Sequence, residues 1–129
     1  MEQRDWVKPR VYHGTMTQWY WVVNHPEHFV LGERVDIGMF TFINAKQGVI
    51  IEDDVQIGAH CAIYSVSTID GKQGPVILKK NCKIGTHSTI MPNVTVGENT
   101  IVGAYSFVDR SIGANQVVRC VPKNFRRML

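Results

Sequence analysis

The stretch Ile84-Gly85-Thr86-His87-Ser88-Thr89-Ile90-Met91-Pro92-Asn93-Val94-Thr95-Val96-Gly97-Glu98-Asn99-Thr100-Ile101-Val102-Gly103-Ala104-Tyr105-Ser106-Phe107-Val108 decides the fold. An aliphatic residue returns every six positions, at Ile84, Ile90, Val96, Val102 and Val108. Four places after each comes a small or β-branched residue or an isoleucine: Ser88, Val94, Thr100, Ser106 and Ile112. A helix repeats near 3.6 residues and a strand at 2, so a strict six belongs to neither. It belongs to a hexapeptide solenoid, in which each hexad supplies one short strand and one corner and three hexads close a triangular coil.

Working outward, the column runs back through Leu78, Ile69, Ile63, Ile57, Ile51, Ile43 and Ile37 to Leu31, thirteen aliphatics in all. Two steps break the spacing: Ile43 to Ile51 is eight residues and Ile69 to Leu78 is nine. The companion positions are Val35, Thr41, Gln47, Val55, Cys61, Ser67, Gln73 and Cys82, and the misfits Gln47 and Gln73 fall in the two irregular hexads. The aliphatics are expected to point into the prism, each burial worth roughly 1.5–3 kcal/mol gross. Glycine after the aliphatic, as at Gly58, Gly85 and Gly103, is expected to permit a tight turn. About four coils are predicted, an all-β parallel β-helix stacked by parallel strand pairing. In this phasing the hexads starting at Ile63, Ile84 and Val102 share a face, while His60 and His87 fall on different faces.

One repeat domain, 31–122, accounts for most of the 129 residues. Residues 1–30 lack the repeat and hold all three tryptophans, Trp6, Trp19 and Trp21, which suits a cap over an open solenoid end. Residues 123–129 form a basic tail with Lys123, Arg126 and Arg127. The net charge of +3 is mild and has no basic block, which argues against a nucleic-acid partner. No apolar run is long enough for a membrane span, and no signal-peptide pattern opens the chain. Three cysteines lack metal spacing, and Cys61 and Cys82 occupy inward slots as small hydrophobes, so a reducing, cytoplasmic location is expected.

The pattern resembles the left-handed parallel β-helix of the hexapeptide acyltransferases, and most closely the maltose/galactoside-type O-acetyltransferases and their sugar-modifying relatives. The residues that carry this are Ile43-Asn44, Val55-Gln56-Ile57-Gly58, Ser65-Val66-Ser67, Pro75-Val76-Ile77, Ile84-Gly85-Thr86-His87, the run Ile90 to Gly97, and Val102-Gly103-Ala104. The left hand comes from the resemblance, because general crossover rules favour the right. The resemblance implies an acetyl-CoA donor, a homotrimer, and active sites in the clefts between neighbouring prisms. It also implies a pantetheine arm hydrogen-bonded by backbone near Thr86 and Ala104. Arg110, Lys123 and Arg126 are cationic candidates for the coenzyme A phosphates.

The sequence departs from the family where the family usually places its base. The strand Ser65-Val66-Ser67-Thr68 is followed by Ile69-Asp70, with no histidine. His60 is the first candidate base and His87 the second, because imidazole titrates where a hydroxyl or amine must lose a proton, and the resembling family often carries a histidine at the place of His87 that is not its base; Asp70 is a weaker one. Asn44 and Lys83 are acceptor-binding candidates, Lys83 standing where the family carries an aromatic before its Ile-Gly. The function expected is acetyl transfer to a hydroxyl or amino group of a sugar or nucleotide-linked sugar. A non-catalytic assembly module would explain the missing histidine but not the polar insertion Asp70-Gly71-Lys72-Gln73-Gly74-Pro75. A γ-class carbonic anhydrase needs a histidine pair four or five residues apart and a third one. His60 and His87 are 27 apart, so that reading is poor.

Overall fold

The computed structural model describes residues 5–122. They wind into a three-faced parallel β-helix of about five turns. The first face stacks Val22–Asn24, Phe42–Asn44, Ala62–Tyr64, Thr89–Ile90 and Phe107–Val108. The second stacks Phe29–Leu31, Val49–Ile51, Val76–Leu78 and Thr95–Val96, with Ile112 bridged to Val96. The third stacks Asp36–Ile37, Gln56–Ile57, Lys83–Ile84, Ile101–Val102 and Val117–Val118. Every coil-to-coil pairing within these faces is parallel, as one-directional winding requires.

Register explains the six-residue column. Val23, Ile43, Ile63, Ile90 and Val108 pair in one inward file. Leu31, Ile51, Leu78 and Val96 form the second, and Ile37, Ile57, Ile84, Val102 and Val118 the third. The small slots Thr41, Cys61, Ser88 and Ser106 sit beside them and are buried. Thr41 Oγ1 donates to the Gly58 carbonyl (3.0 Å), and Ser88 Oγ to that of Gly103 (3.3 Å). No buried side-chain nitrogen or oxygen among the described residues lacks a partner, so these hydroxyls tie coils together without an orphaned polar group. Cys61 and Cys82 pack as small apolar groups; burial pushes the Cys82 thiol up to about 12.

Ile69 leaves the column. It is 98% exposed, between the paired strands Val66–Ser67 and Lys72–Gln73 of an antiparallel hairpin that projects from the prism. The expected protrusion around Asp70–Pro75 is therefore a hairpin, but it takes Ile69 with it. Counting Ile69 as a coil residue moves every later hexad by one face. Ile84 and Val102 stack on Ile57, not on Ile63, whose partner is Ile90. The glutamine misfits come from the two lengthened steps, Gln47 from Ile43 to Ile51 and Gln73 from the hairpin. The inward slot lies two residues before the next aliphatic, so Val49 and Val76 fill it, both fully buried, while Gln47 and Gln73 stay outside and bond to each other (3.2 Å).

Two further expectations are corrected. The solenoid starts at Val22, inside the segment assigned to the cap, and this strand, with Ile112 and Val117–Val118 at the other end, brings the expected four turns to about five. Trp21, just ahead of the first strand, and Phe29, at the start of the second, meet edge to face at 6.5 Å. Ahead of them, Trp6 and Val11 pack against the core, and the Trp6 indole donates to the Val35 carbonyl (2.9 Å). The glycines after the aliphatics are not turn residues either. A Cβ on Gly85 would lie 2.4 Å from the Ala104 nitrogen, so close coil stacking demands glycine there. The positive φ angles fall two residues later, as at His60, His87 and Tyr105, three after Ile57, Ile84 and Val102.

Candidate active site at an aromatic corner

Two of the prism's corners use the same backbone device. Between the second and third faces, Arg34, Asp54, Asn81, Asn99 and Asn115 occupy the left-handed region with φ of 55–63°. Between the third and first faces, Tyr20, Phe40, His60, His87 and Tyr105 do so with φ of 57–65°. Asparagine tolerates this conformation readily; bulky rings do so at a cost. The rings stack along the corner, with centroid separations of 6.5 Å (Tyr20–Phe40), 5.3 Å (Phe40–His60), 4.8 Å (His60–His87) and 4.9 Å (His87–Tyr105). His60 and His87, expected on different faces, are thus adjacent rungs, interplanar angle 20°. The displaced Ile69 accounts for that error too.

Local hydrogen bonds hold the histidines differently. The Thr86 hydroxyl donates to the Ala59 carbonyl (2.7 Å) and lies 2.9 Å from His87 Nδ1. His87 is sandwiched between His60 and Tyr105, nearly parallel to the latter at 9°. His60 has no side-chain hydrogen bond among the described residues and rests on ring contacts alone.

Beside this corner, a groove of about 380 Å³ crosses the third face. Gln56, Lys83, Thr86, Ile101 and Ala104 line it, so three of the sequence candidates meet here. The outward row runs Asp36, Gln56, Lys83, Ile101 and Val117 in register, from an acid through a cation to apolar residues. Thr86 and Ala104 lie in successive coils, as expected, for the Tyr105 amide donates to the Thr86 carbonyl (2.9 Å). The Lys83 ammonium donates to Asn81 Oδ1 at 3.3 Å, which anchors it at the groove's edge.

The remaining candidates stand elsewhere. Asn44 ends a first-face strand and its Oδ1 accepts from the Lys46 amide (3.0 Å), a turn-stabilising role. Asp70 sits on the hairpin, its carboxyl held below the usual range by the Ser67 hydroxyl and then the Lys72 amide. Both belong to the edge between the first and second faces, across the first face from the imidazoles. Arg110 leans on Asp109 (3.3 Å) and does not line the groove. Lys123 and Arg126 lie outside the described residues. Tyr20, Phe40 and Tyr105 were not singled out by their sequence; the usable signal was their spacing, three places after Thr17, Ile37 and Val102. No group of three or more histidine, cysteine or acidic side chains that could hold a metal lies among the described residues. No helix among them is long and apolar enough to cross a membrane.

The family description "bacterial transferase hexapeptide (six repeats)" matches residues 75–110, and "hexapeptide repeat of succinyl-transferase" matches 48–69. Galactoside O-acetyltransferase of Escherichia coli is 30% identical over 115 residues, covering 78% of this chain and 57% of the relative. The putative colanic acid biosynthesis acetyltransferase WcaF of the same organism is 29% identical, covering 84% and 54%. The chain therefore spans a little over half the length of these relatives. Among solved structures, a variant of AntD, an N-acyltransferase from Bacillus cereus in complex with dTDP and coenzyme A, superposes with a TM-score of 0.60 at 24% identity, covering 75% of this chain and 70% of that one. AntD with dTDP and 3-hydroxybutyryl-CoA gives 0.50 at 27% identity, covering 73% and 61%. The fold is the left-handed parallel β-helix of such acyltransferases.

Proposed function

We propose, because the chain belongs to the hexapeptide-repeat acyltransferase family, that it transfers an acyl group, acetyl in the first instance, from coenzyme A to a hydroxyl or amino group of a sugar or nucleotide-linked sugar. The observation that carries this is the third-face groove opening beside an unengaged imidazole edge at the aromatic corner. The relatives' acetyltransferase names and the coenzyme A and dTDP bound by AntD support the substrate classes.

The groove fits a pantetheine arm. Thr86 and Ala104 are small and half-buried, Ile101 supplies apolar wall, and Lys83 supplies one cation. The acyl donor supplies a thioester carbonyl; the chain's residues orient it and move the proton. His87 is the base, through Nε2. It takes the proton from the acceptor as oxygen or nitrogen bonds to the carbonyl carbon, and returns it to the departing thiolate as the carbon–sulfur bond breaks. His60 stacks on His87 and supports its orientation. Asp70, ionised below the usual carboxylate range, is the poorer base.

Asn44 and the hairpin stand across the first face from His87, so a site using both needs a neighbouring copy; the assembly is a homotrimer with sites between prisms. Arg110, with Lys123 and Arg126 of the basic tail, would then serve the coenzyme A phosphates. Unpaired Cys61, Cys82 and Cys120 suit a reducing compartment such as the cytoplasm.

The test is acyl-CoA consumption across a panel of amino and neutral nucleotide sugars and free sugars, with binding of coenzyme A followed by calorimetry. Turnover with a sugar acceptor is the expected result. Absence of both coenzyme A binding and turnover would return the chain to the assembly-module reading.

A further inference from the structure

We infer that Thr86 is a positioning residue that locks His87 in its Nδ1–H tautomer and so leaves Nε2 as the nitrogen with a free lone pair. The proton count requires it. The Thr86 hydroxyl has one proton, and the Ala59 carbonyl, 2.7 Å away, can only accept. That proton is therefore committed to Ala59. The 2.9 Å contact between Thr86 Oγ1 and His87 Nδ1 must then be made with the imidazole donating. A neutral imidazole has one N–H, so Nε2 is left as a lone-pair acceptor.

Two features make this a lock rather than a passing contact. His60 and Tyr105 stack on opposite sides of the His87 ring, at 4.8 and 4.9 Å, and hinder its turning over to offer Nε2 to Thr86. Ala59 belongs to the coil beneath: the His87 amide donates to the same Ala59 carbonyl (3.1 Å), so backbone and side chain of one corner are tied to one oxygen. Nε2 has no partner among the described residues. His60 has no such arrangement at its own Nδ1, because Ala59 precedes it where Thr86 precedes His87. That asymmetry selects His87 over His60 as the base.

The tautomer assignment stands on geometry alone; its catalytic consequence rests on the transferase reading. The experiment is two-bond ¹H–¹⁵N correlation spectroscopy of the full-length protein labelled at histidine, at a pH where imidazole is neutral, with His87 assigned through His87→Gln. The unmodified protein should show His87 with protonated Nδ1 and pyridine-like Nε2. Thr86→Val, which keeps the shape and removes the hydroxyl, should shift it to an Nε2–H or mixed population; Thr86→Ser should restore it. An Nε2–H tautomer in the unmodified protein, or an unchanged spectrum in a folded Thr86→Val variant, would overturn the inference. If Thr86→Val does not fold, the spectra of the unmodified protein and Thr86→Ser still decide. In kinetics, Thr86→Val should lower kcat roughly tenfold or more, and Thr86→Ser should recover it. A correct tautomer with no turnover on any acceptor would sink the transferase reading while leaving the lock in place.

Discussion

The amide corner and the aromatic corner share a backbone and differ in everything the backbone carries. At the first, Asn81 Nδ2 donates to Asn99 Oδ1 (2.8 Å) and Asn99 Nδ2 to Asn115 Oδ1 (3.1 Å), a ladder of residues suited to positive φ. Below it, Arg34 and Asp54 close an ion pair at 2.7 Å. Its polar groups satisfy one another, and the concavity there, about 520 Å³, mixes Arg34 and Lys80 with Asp54 and Glu98. At the second corner, five rings take the same strained φ, of which His60, His87 and Tyr105 stack face to face while Tyr20 and Phe40 lie tilted, and imidazole nitrogen is left unengaged. A corner that could be asparagine throughout, and is not, is where the proposed chemistry would offset the conformational cost.

The sharpest way to break this contrast is through turnover. His87→Ala should lower kcat by roughly 10²-fold or more, whereas Asn99→Ala, at the equivalent backbone position, should stay within about twofold. Equal losses in an acyl-CoA consumption assay would mean that both corners are merely structural.

Next comes the claim that the backbones are equivalent. A Cβ on Gly85 would meet the Ala104 nitrogen at 2.4 Å, and one on Gly97 the Ala114 nitrogen at 2.4 Å, whereas on Gly103 the nearest atom is 3.5 Å away. Gly85→Ala and Gly97→Ala should each lose about 3 kcal/mol in denaturant unfolding, and Gly103→Ala about 0.5 kcal/mol or less. A large loss at only one of the first two would separate the corners in packing as well as chemistry.

A smaller effect tests the conformational cost itself. Asn99→Phe puts a ring into positive φ and cuts the amide ladder, and should lose roughly 1–2 kcal/mol. Phe40→Asn, the reverse exchange at the aromatic corner, should leave Tm level or raise it. A marked fall in Tm would show that stacking outweighs the strain.

The smallest expected effect is at the exposed ion pair. Hydrogen bonding from Arg34 holds the Asp54 carboxyl below its ordinary value near 3.8. A carboxyl depressed on folding adds stability above its unfolded pKa, and loses it as pH falls through the folded value. Thermal scans below about pH 4 should therefore show a slight acid-induced fall in the unmodified protein that is shallower in Asp54→Asn. Identical slopes would remove the pair from the stability account.

The period of six determined the inward files, the parallel pairing and the repeat architecture, because an apolar column of that spacing has one economical way to leave water. Cys61 and Cys82 were legible for the same reason, their inward slots following from phase within a single coil, whereas Thr86 and Ala104 were raised by the family resemblance alone. Facial register beyond Ile63 was not legible. Whether Ile69 sits in the core or on a hairpin depends on whether Val76 and Leu78 can pair with Val49 and Ile51 in the coil beneath, a non-local matter that local spacing does not encode. That one choice rotates all later hexads and decides whether His60 and His87 meet. Only the stacking of coils could bring residues 27 apart in the chain to 4.8 Å, between rings whose shared position becomes visible once their backbones are aligned.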